Sequence, residues 1–359
     1  MTSAATTPLD DPGLYDRLDP TGLGRRIWEL PEQCLRAWNQ ATELVLPDHY
    51  ADVSNVVIVG MGGSAIGGDL LADLASQERS LPIAVCRDYS IPTYVGADSL
   101  VIVSSYSGNT EETLSACRGA IERGAKVLAS TTGGQLEQIA RREGIPLFSI
   151  DYVGEPRAAL GYSFIVPLVV LQRLGLIAPK NEDMEEAVEG MYYLSDRLRP
   201  ETPARDNPAK ELAEALHGRL IVVYSGGILS GVAWRWKTQF NENSKAFAFV
   251  ELLPEADHNA VVGFQWPRPV NRKVYGVMLN ALSLHPRVKL RYQVTGELLK
   301  KARIEFRTVD GVGKGAMAQM MSAVLFGDYT SYYLAMLNGQ DPSPVPTIDY
   351  LKGRLDALS

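Results

Sequence analysis

Two short runs of glycine and hydroxyl residues hold the first chemistry legible in this 359-residue sequence, GMGGSAIGG at 60–68 and SSYSGNTEET at 104–113. In the first run, glycines without a Cβ let the backbone approach a ligand and take positive φ, and a helix starting there aims its free N–H groups outward. Gly63 and Ser64 stand where such a loop would meet an anion. Gly60, Gly62 and Ala65 also satisfy the GxGxxG/A spacing of a dinucleotide turn, with Asp88 the nearest acid for a ribose, and a strand–glycine–helix turn can exist without any ligand. In the second run, Ser105, Ser107 and Thr110 gather hydroxyls at a turn for which Gly108 and Asn109 are suited. Its plainer reading is an N-cap at Thr110, with Glu111 and Glu112 complementing the helix dipole. Two such loops at the carboxyl ends of neighbouring strands suit a monophosphate better than a dinucleotide, because hydroxyls abound and no GK[ST] lysine serves a nucleotide triphosphate.

Loops of this kind need strands behind them. Residues 55–60 (NVVIVG) form a β-branched run that ends in glycine and leads into a helical pattern from Ala65 to Ala75. Further strand-like runs follow at 83–86, 100–104, 126–130 and 147–150, spaced for crossover helices. A second series opens at Leu220 with LIVVYSGG and continues at 246–250, 274–279 and 303–308, so that both halves start with a strand entering a glycine-rich turn. The expected fold class is α/β, with two doubly wound, parallel-sheet subdomains of flavodoxin-like type. Residues 1–48 are expected to be an N-terminal helical arm containing one helix from Leu23 to Leu46. Residues 49–198 would be the first subdomain and 209–359 the second, ending in a short amphipathic helix, TIDYLKGRLDAL. The linker is placed at 199–208 (RPETPARDNP), where three prolines interrupt helix or strand.

Composition narrows the class. With 46% hydrophobic and 21% charged residues the chain can bury a full core. It has no run near the roughly 18 apolar residues of a membrane span and no basic-then-apolar leader, so a cytoplasmic protein without a membrane partner is expected. A formal net charge of -7 disfavours a nucleic-acid partner, whose phosphates need clustered Lys and Arg. Cys34, Cys86 and Cys117 lie far apart without CxxC spacing and are expected to be buried packing residues. Four histidines, His49, His217, His258 and His285, form no HxH or HxxxH pair, so no metal and no other cofactor is expected.

GMGGSAIGGDL, SYSGNTEET, GEPRAALGYSF, NENSK with HNAVVGF after it, and IDYLKGRL occur in order between residues 60 and 355, within a resemblance that runs from about residue 20 to the C-terminus. Together they resemble the sugar isomerase (SIS) domain family, and more narrowly its bifunctional phosphoglucose/phosphomannose isomerases. The resemblance implies an aldose–ketose isomerase acting on glucose 6-phosphate, mannose 6-phosphate or both, with fructose 6-phosphate as the ketose. It implies that Gly63, Ser64, Ser105, Ser107 and Thr110 hold the substrate phosphate. Glu242 would be the base that moves a proton between C1 and C2 through a cis-enediolate, and Arg157 the cation that stabilises the enediolate. His258 would open the sugar ring, since imidazole donates and accepts protons near neutral pH, with Lys352 assisting. In relatives the histidine arrives from the neighbouring subunit, which implies a homodimer with shared sites. One departure is that Ala260 stands where many relatives carry an acid. His49, His217 and His285 have no motif context and are expected to be structural. SIS domains also serve as noncatalytic sugar-phosphate sensors, and an isomerase restricted to mannose 6-phosphate would look much the same. Both remain alternatives, along with a nucleotide-dependent oxidoreductase built on the GxGxxA turn.

Overall fold

Asn55–Val59 (β1) is a run of β-branched residues, buried from Val56 to Val59, as a strand covered on both faces should be. A computed structural model describes residues 7–78 and 81–358. In it β1 lies between Ile83–Cys86 (β2) and Ser99–Ser104 (β3), and Lys126–Thr131 (β4) and Leu147–Ser149 (β5) complete an all-parallel sheet of order β2-β1-β3-β4-β5. This is the flavodoxin-like order, in which the direction of winding reverses between β1 and β3. The two loops rich in glycine and hydroxyls therefore leave the sheet side by side at the crevice that this topology opens.

The second sheet repeats the arrangement with one strand fewer. Leu220–Ser225 (β6), Ala248–Leu252 (β7), Val274–Asn280 (β8) and Glu305–Asp310 (β9) run parallel in the order β7-β6-β8-β9. Its strand bounds fall within two residues of those expected from the sequence. No amphipathic period announces two of the helices: Leu160–Arg173, which packs against Leu30–Thr42 and Gly63–Ala75 within the first half, and Ala316–Leu337, which packs against Asn181–Leu198, Pro208–Leu216 and Ser230–Glu242 and so joins the halves. Every residue from Met317 to Met336 is buried, because this helix is enclosed on all sides. The Trp236 indole N–H donates to the Ala323 carbonyl at 2.9 Å, and one apolar core runs from Leu9 to Met336 through both halves.

The N-terminal segment differs from the expected single helix from Leu23 to Leu46. It forms Leu23–Trp28 and Leu30–Thr42, parted at Glu29, because Pro31 in the first turn of the second helix has no N–H to return to the preceding turn. The segment is also built into the core. Gln33 and Cys34 are fully buried, and the Gln33 carboxamide accepts from Gly161 N–H at 2.7 Å and donates to the Ala158 carbonyl at 2.9 Å. Residues 199–208 are likewise tied down. Asn207 caps the helix Pro208–Leu216, and the buried Lys210 ammonium donates to the carbonyls of Leu9 and Pro200, each at 2.7 Å. All three cysteines are buried, and His285 accepts from Arg287 N–H as the cap of helix Pro286–Lys301. Among the described residues no helix is long and apolar enough to cross a membrane.

Candidate active site

The first loop turns through Gly62, at φ 50° and ψ -124°, a conformation that strains any residue with a side chain. The helix Gly63–Ala75 begins directly after it; the N–H groups of Ser64 and Ala65 return to the Met61 and Gly62 carbonyls at 3.0 and 3.1 Å, and among the described residues Gly63 N–H has no acceptor, so it is the one left to meet an anion. The Ser64 hydroxyl accepts from Tyr106 N–H at 3.1 Å, which locks the first loop to the second and leaves the Ser64 O–H proton to be donated elsewhere. In the second loop Ser105 Oγ donates to Thr110 Oγ1 at 3.2 Å, and the Ser107 hydroxyl accepts from Asn109 N–H at 3.3 Å. Thr110 is the N-cap residue of helix Glu111–Glu122, yet its side chain makes no capping hydrogen bond. The plain N-cap reading therefore fails for its hydroxyl, which turns to Ser105 instead.

Gly108 sits at φ 67°, and a Cβ there would collide with the Gly133 carbonyl. The loop is thus held against the segment after β4, where Asn109 Oδ1 accepts from Gln135 N–H at 3.0 Å. Gly108→Ala should destabilise the protein by on the order of 2–3 kcal/mol and weaken phosphate binding. A thermal melt with and without inorganic phosphate checks this, and an unchanged melt would show the loop to be free to move.

Arg157, in the turn Pro156–Ala158, connects these loops to the second half. Any Cβ on Gly63 would press on the Arg157 backbone, so Gly63 permits the turn to lie against the start of the helix. The Arg157 side chain is 4% exposed. Its Nε donates to Asn243 Oδ1 at 2.6 Å, its Nη2 to the carbonyls of Pro342 and Ser343 at 2.6 and 2.8 Å, and its Nη1 faces Glu242 Oε2 at 3.4 Å. Burial lowers the proton affinity of the guanidinium and the Glu242 carboxylate opposes that; the group stays cationic throughout the working pH range. Beside it, Arg26 grips Glu155 with two bonds of 2.7 and 2.8 Å. Burial alone would raise the Glu155 carboxyl, but hydrogen bonds from Ser343 and Arg26 outweigh it and hold the group below its ordinary value.

Glu242 ends the helix Ser230–Glu242, which packs antiparallel to Gly63–Ala75. Gly231 N–H at its start donates to Asp73 Oδ2 at 2.5 Å, near the far end of the first helix, while Glu242 at its finish meets the turn that abuts Gly63. The Glu242 side chain keeps 25% of its surface exposed, so it is both anchored and reachable. Asn243 and Ser244 behind it are fully buried and bonded to Ser331 of the long helix.

The structure therefore brings Glu242, Arg157, Gly63, Ser64, Ser105, Ser107 and Thr110 into one crevice. It does not bring His258 or Lys352 there within a single chain. His258 is exposed in the turn Glu255–His258 beyond β7, the edge strand, and Lys352 is exposed on the C-terminal helix Pro346–Asp356. Sequence reasoning missed Asn243, Lys245 and the two carbonyls at 342 and 343. The NENSK motif contains the first two, but nothing local signals that a proline-rich stretch 185 residues downstream would supply acceptors to Arg157.

Comparison with known proteins bears on the family and the fold. The family described as "Bacterial phospho-glucose isomerase C-terminal SIS domain" matches residues 205–355. A "Bifunctional phosphoglucose/phosphomannose isomerase" of Caldicellulosiruptor bescii is 41% identical over 92% of this chain and 97% of its own length. A protein of the same description from Aquifex aeolicus is 36% identical over 84% of this chain and 90% of its own length. Among solved structures, a hypothetical protein from Thermus thermophilus superposes with a TM-score of 0.73 at 17% identity, covering 96% of this chain and 92% of the other, which bears on the fold alone. The crevice between two parallel-sheet halves and the identity along nearly the whole chain agree: this chain belongs to the bifunctional phosphoglucose/phosphomannose isomerase family of SIS-domain sugar-phosphate isomerases.

Proposed function

We propose that the chain interconverts glucose 6-phosphate and mannose 6-phosphate with fructose 6-phosphate through a cis-enediolate. The observation that carries this reading is the buried Arg157, which stands against the first phosphate-type loop on one side and 3.4 Å from Glu242 on the other. The hydroxyls of Ser64, Ser105, Ser107 and Thr110, with the helix N-terminus at Gly63, hold the phosphate at one end of the open-chain sugar. Glu242 takes the proton from C2 of the aldose and returns it to C1, while a proton passes from O2 to O1, so the sugar gains and loses nothing overall. Arg157 faces the negative charge that develops on the enediolate oxygens. The two aldoses differ only at C2, and loss of that proton gives the same enediolate from either, so one carboxylate can serve both.

The same reading makes the protein a homodimer in which His258 acts on the neighbouring subunit's substrate and opens its ring, with Lys352 assisting. Its support is that His258 lies on an exposed edge away from Glu242 of its own chain. The segment following it exposes Val262, Trp266 and Val270, and the C-terminal helix exposes Tyr350, Leu351 and Leu355, apolar surface that a second copy would cover. The test is incubation of the purified protein with fructose 6-phosphate in deuterated water, followed by NMR. Both aldoses should form and carry deuterium at C2; if neither aldose appears, the assignment is lost.

A further inference from the structure

The helix that carries Glu242 ends in an unusual way. Lys245 adopts φ 54°, the left-handed conformation in which a helix normally finishes with glycine. A residue with a side chain is disfavoured there, and the lysine uses its side chain in a specific manner. Its Nζ donates to the carbonyl of Glu242 at 2.6 Å and to the carbonyl of Pro342 at 3.2 Å. The Pro342 carbonyl is also an acceptor for Arg157 Nη2 at 2.6 Å. Two cations thus converge on one backbone oxygen, and each also reaches Glu242, Lys245 at its carbonyl and Arg157 at its carboxylate.

We propose that Lys245 is a positioning residue of the isomerase site, whose ammonium ties the end of the Glu242 helix to the crossing segment 341–345 and so sets both against Arg157. The proposal rests on Glu242 being the base. The crossing segment leads into the helix Pro346–Asp356 that bears Lys352, so the tie also governs where that helix departs. Ser343 is held from the other side by Thr21, hydroxyl to hydroxyl at 2.6 Å, and Asp341 Oδ1 accepts from Ser343 N–H at 2.9 Å. Without Lys245, the segment would keep these contacts and those to Arg157 but lose its link to the base. Although the residue as a whole is exposed, its ammonium is drawn inward, and burial first and the Arg157 guanidinium second pull it down to about 8. Asp341, Glu242 and Glu155 are the charged groups that oppose this fall. As pH rises through that value the ammonium loses its charge and one of its three N–H donors, its two charge-assisted bonds weaken, and turnover should decline on the basic side.

Lys245→Gly separates this role from a structural one, because glycine is the residue the backbone prefers at this φ. Its melting temperature should equal or exceed that of the native protein. Turnover of fructose 6-phosphate should fall by about tenfold in kcat with little change in KM. Amides of residues 340–345 should exchange with deuterium faster than in the native chain. Lys245→Arg should restore most of the turnover and move the basic limb of the pH profile upward, since a guanidinium does not titrate there. Native kcat and pH profile in Lys245→Gly would overturn the proposal, as would unchanged exchange at 340–345. The exchange measurement decides even if the native protein proves inactive on fructose 6-phosphate, in which case the substrate assignment falls separately.

Discussion

Glu242→Gln should lower kcat for fructose 6-phosphate by about 10²- to 10⁴-fold while KM and the melting temperature stay near those of the native protein. Glutamine preserves the shape of the side chain and can still turn an amide oxygen toward Arg157 Nη1, so the fold loses little. What it cannot do is carry a proton between two carbons. The variant also tests whether sites are shared between subunits. Glu242→Gln and His258→Gln, each inactive alone, should recover up to about a quarter of native activity when unfolded and refolded together, since some hybrid dimers then hold one site with both residues intact. Full activity in Glu242→Gln would remove it as the base, and failure of the mixture to regain activity would place His258 in its own subunit's site.

The second large effect lies behind the site. Arg235 and Asp328 form a buried pair, each about 3% exposed, with bonds of 3.0 and 2.6 Å, and Gln239 donates to the same carboxylate at 3.1 Å. Arg235 Nη2 also donates to the Arg157 carbonyl at 3.1 Å, so the pair anchors the turn that presents Arg157. Asp328→Ala leaves a guanidinium in the core without its counter-charge and should cost about 3–5 kcal/mol, a fall of on the order of 5 to 10 °C in melting temperature. Replacing both members, Arg235→Met with Asp328→Leu, removes the stranded charge and should recover much of that stability. It should not recover kcat, because the Arg157 carbonyl has lost its donor. If the double variant melts as low as the single one, the loss arises from packing and the electrostatic account is wrong.

The two halves also show why some elements are easy to anticipate and others are not. β1, β3 and β6 announce themselves through β-branched runs that stop at glycine or serine turns. The helix Ala316–Leu337 does not, because a helix buried on every face has no polar stripe and therefore no period. The missing N–H of Pro31 is a local fact that marks a helix boundary, but the apolar spacing on both sides of it favours one continuous helix.

What this sequence determined by itself was local: glycines that permit Gly62 and Gly108 their positive φ, hydroxyls clustered around them, and strands that end where those loops begin. Turn chemistry and strand patterning act over a few residues, so they are written within a few residues. The tertiary structure decided the rest. The contact of Arg157 with Glu242 spans 85 positions, and its hold on the carbonyls at 342 and 343 spans 185 and 186. Such pairings depend on which buried faces pack together, a property of the whole core that no single stretch of the chain carries.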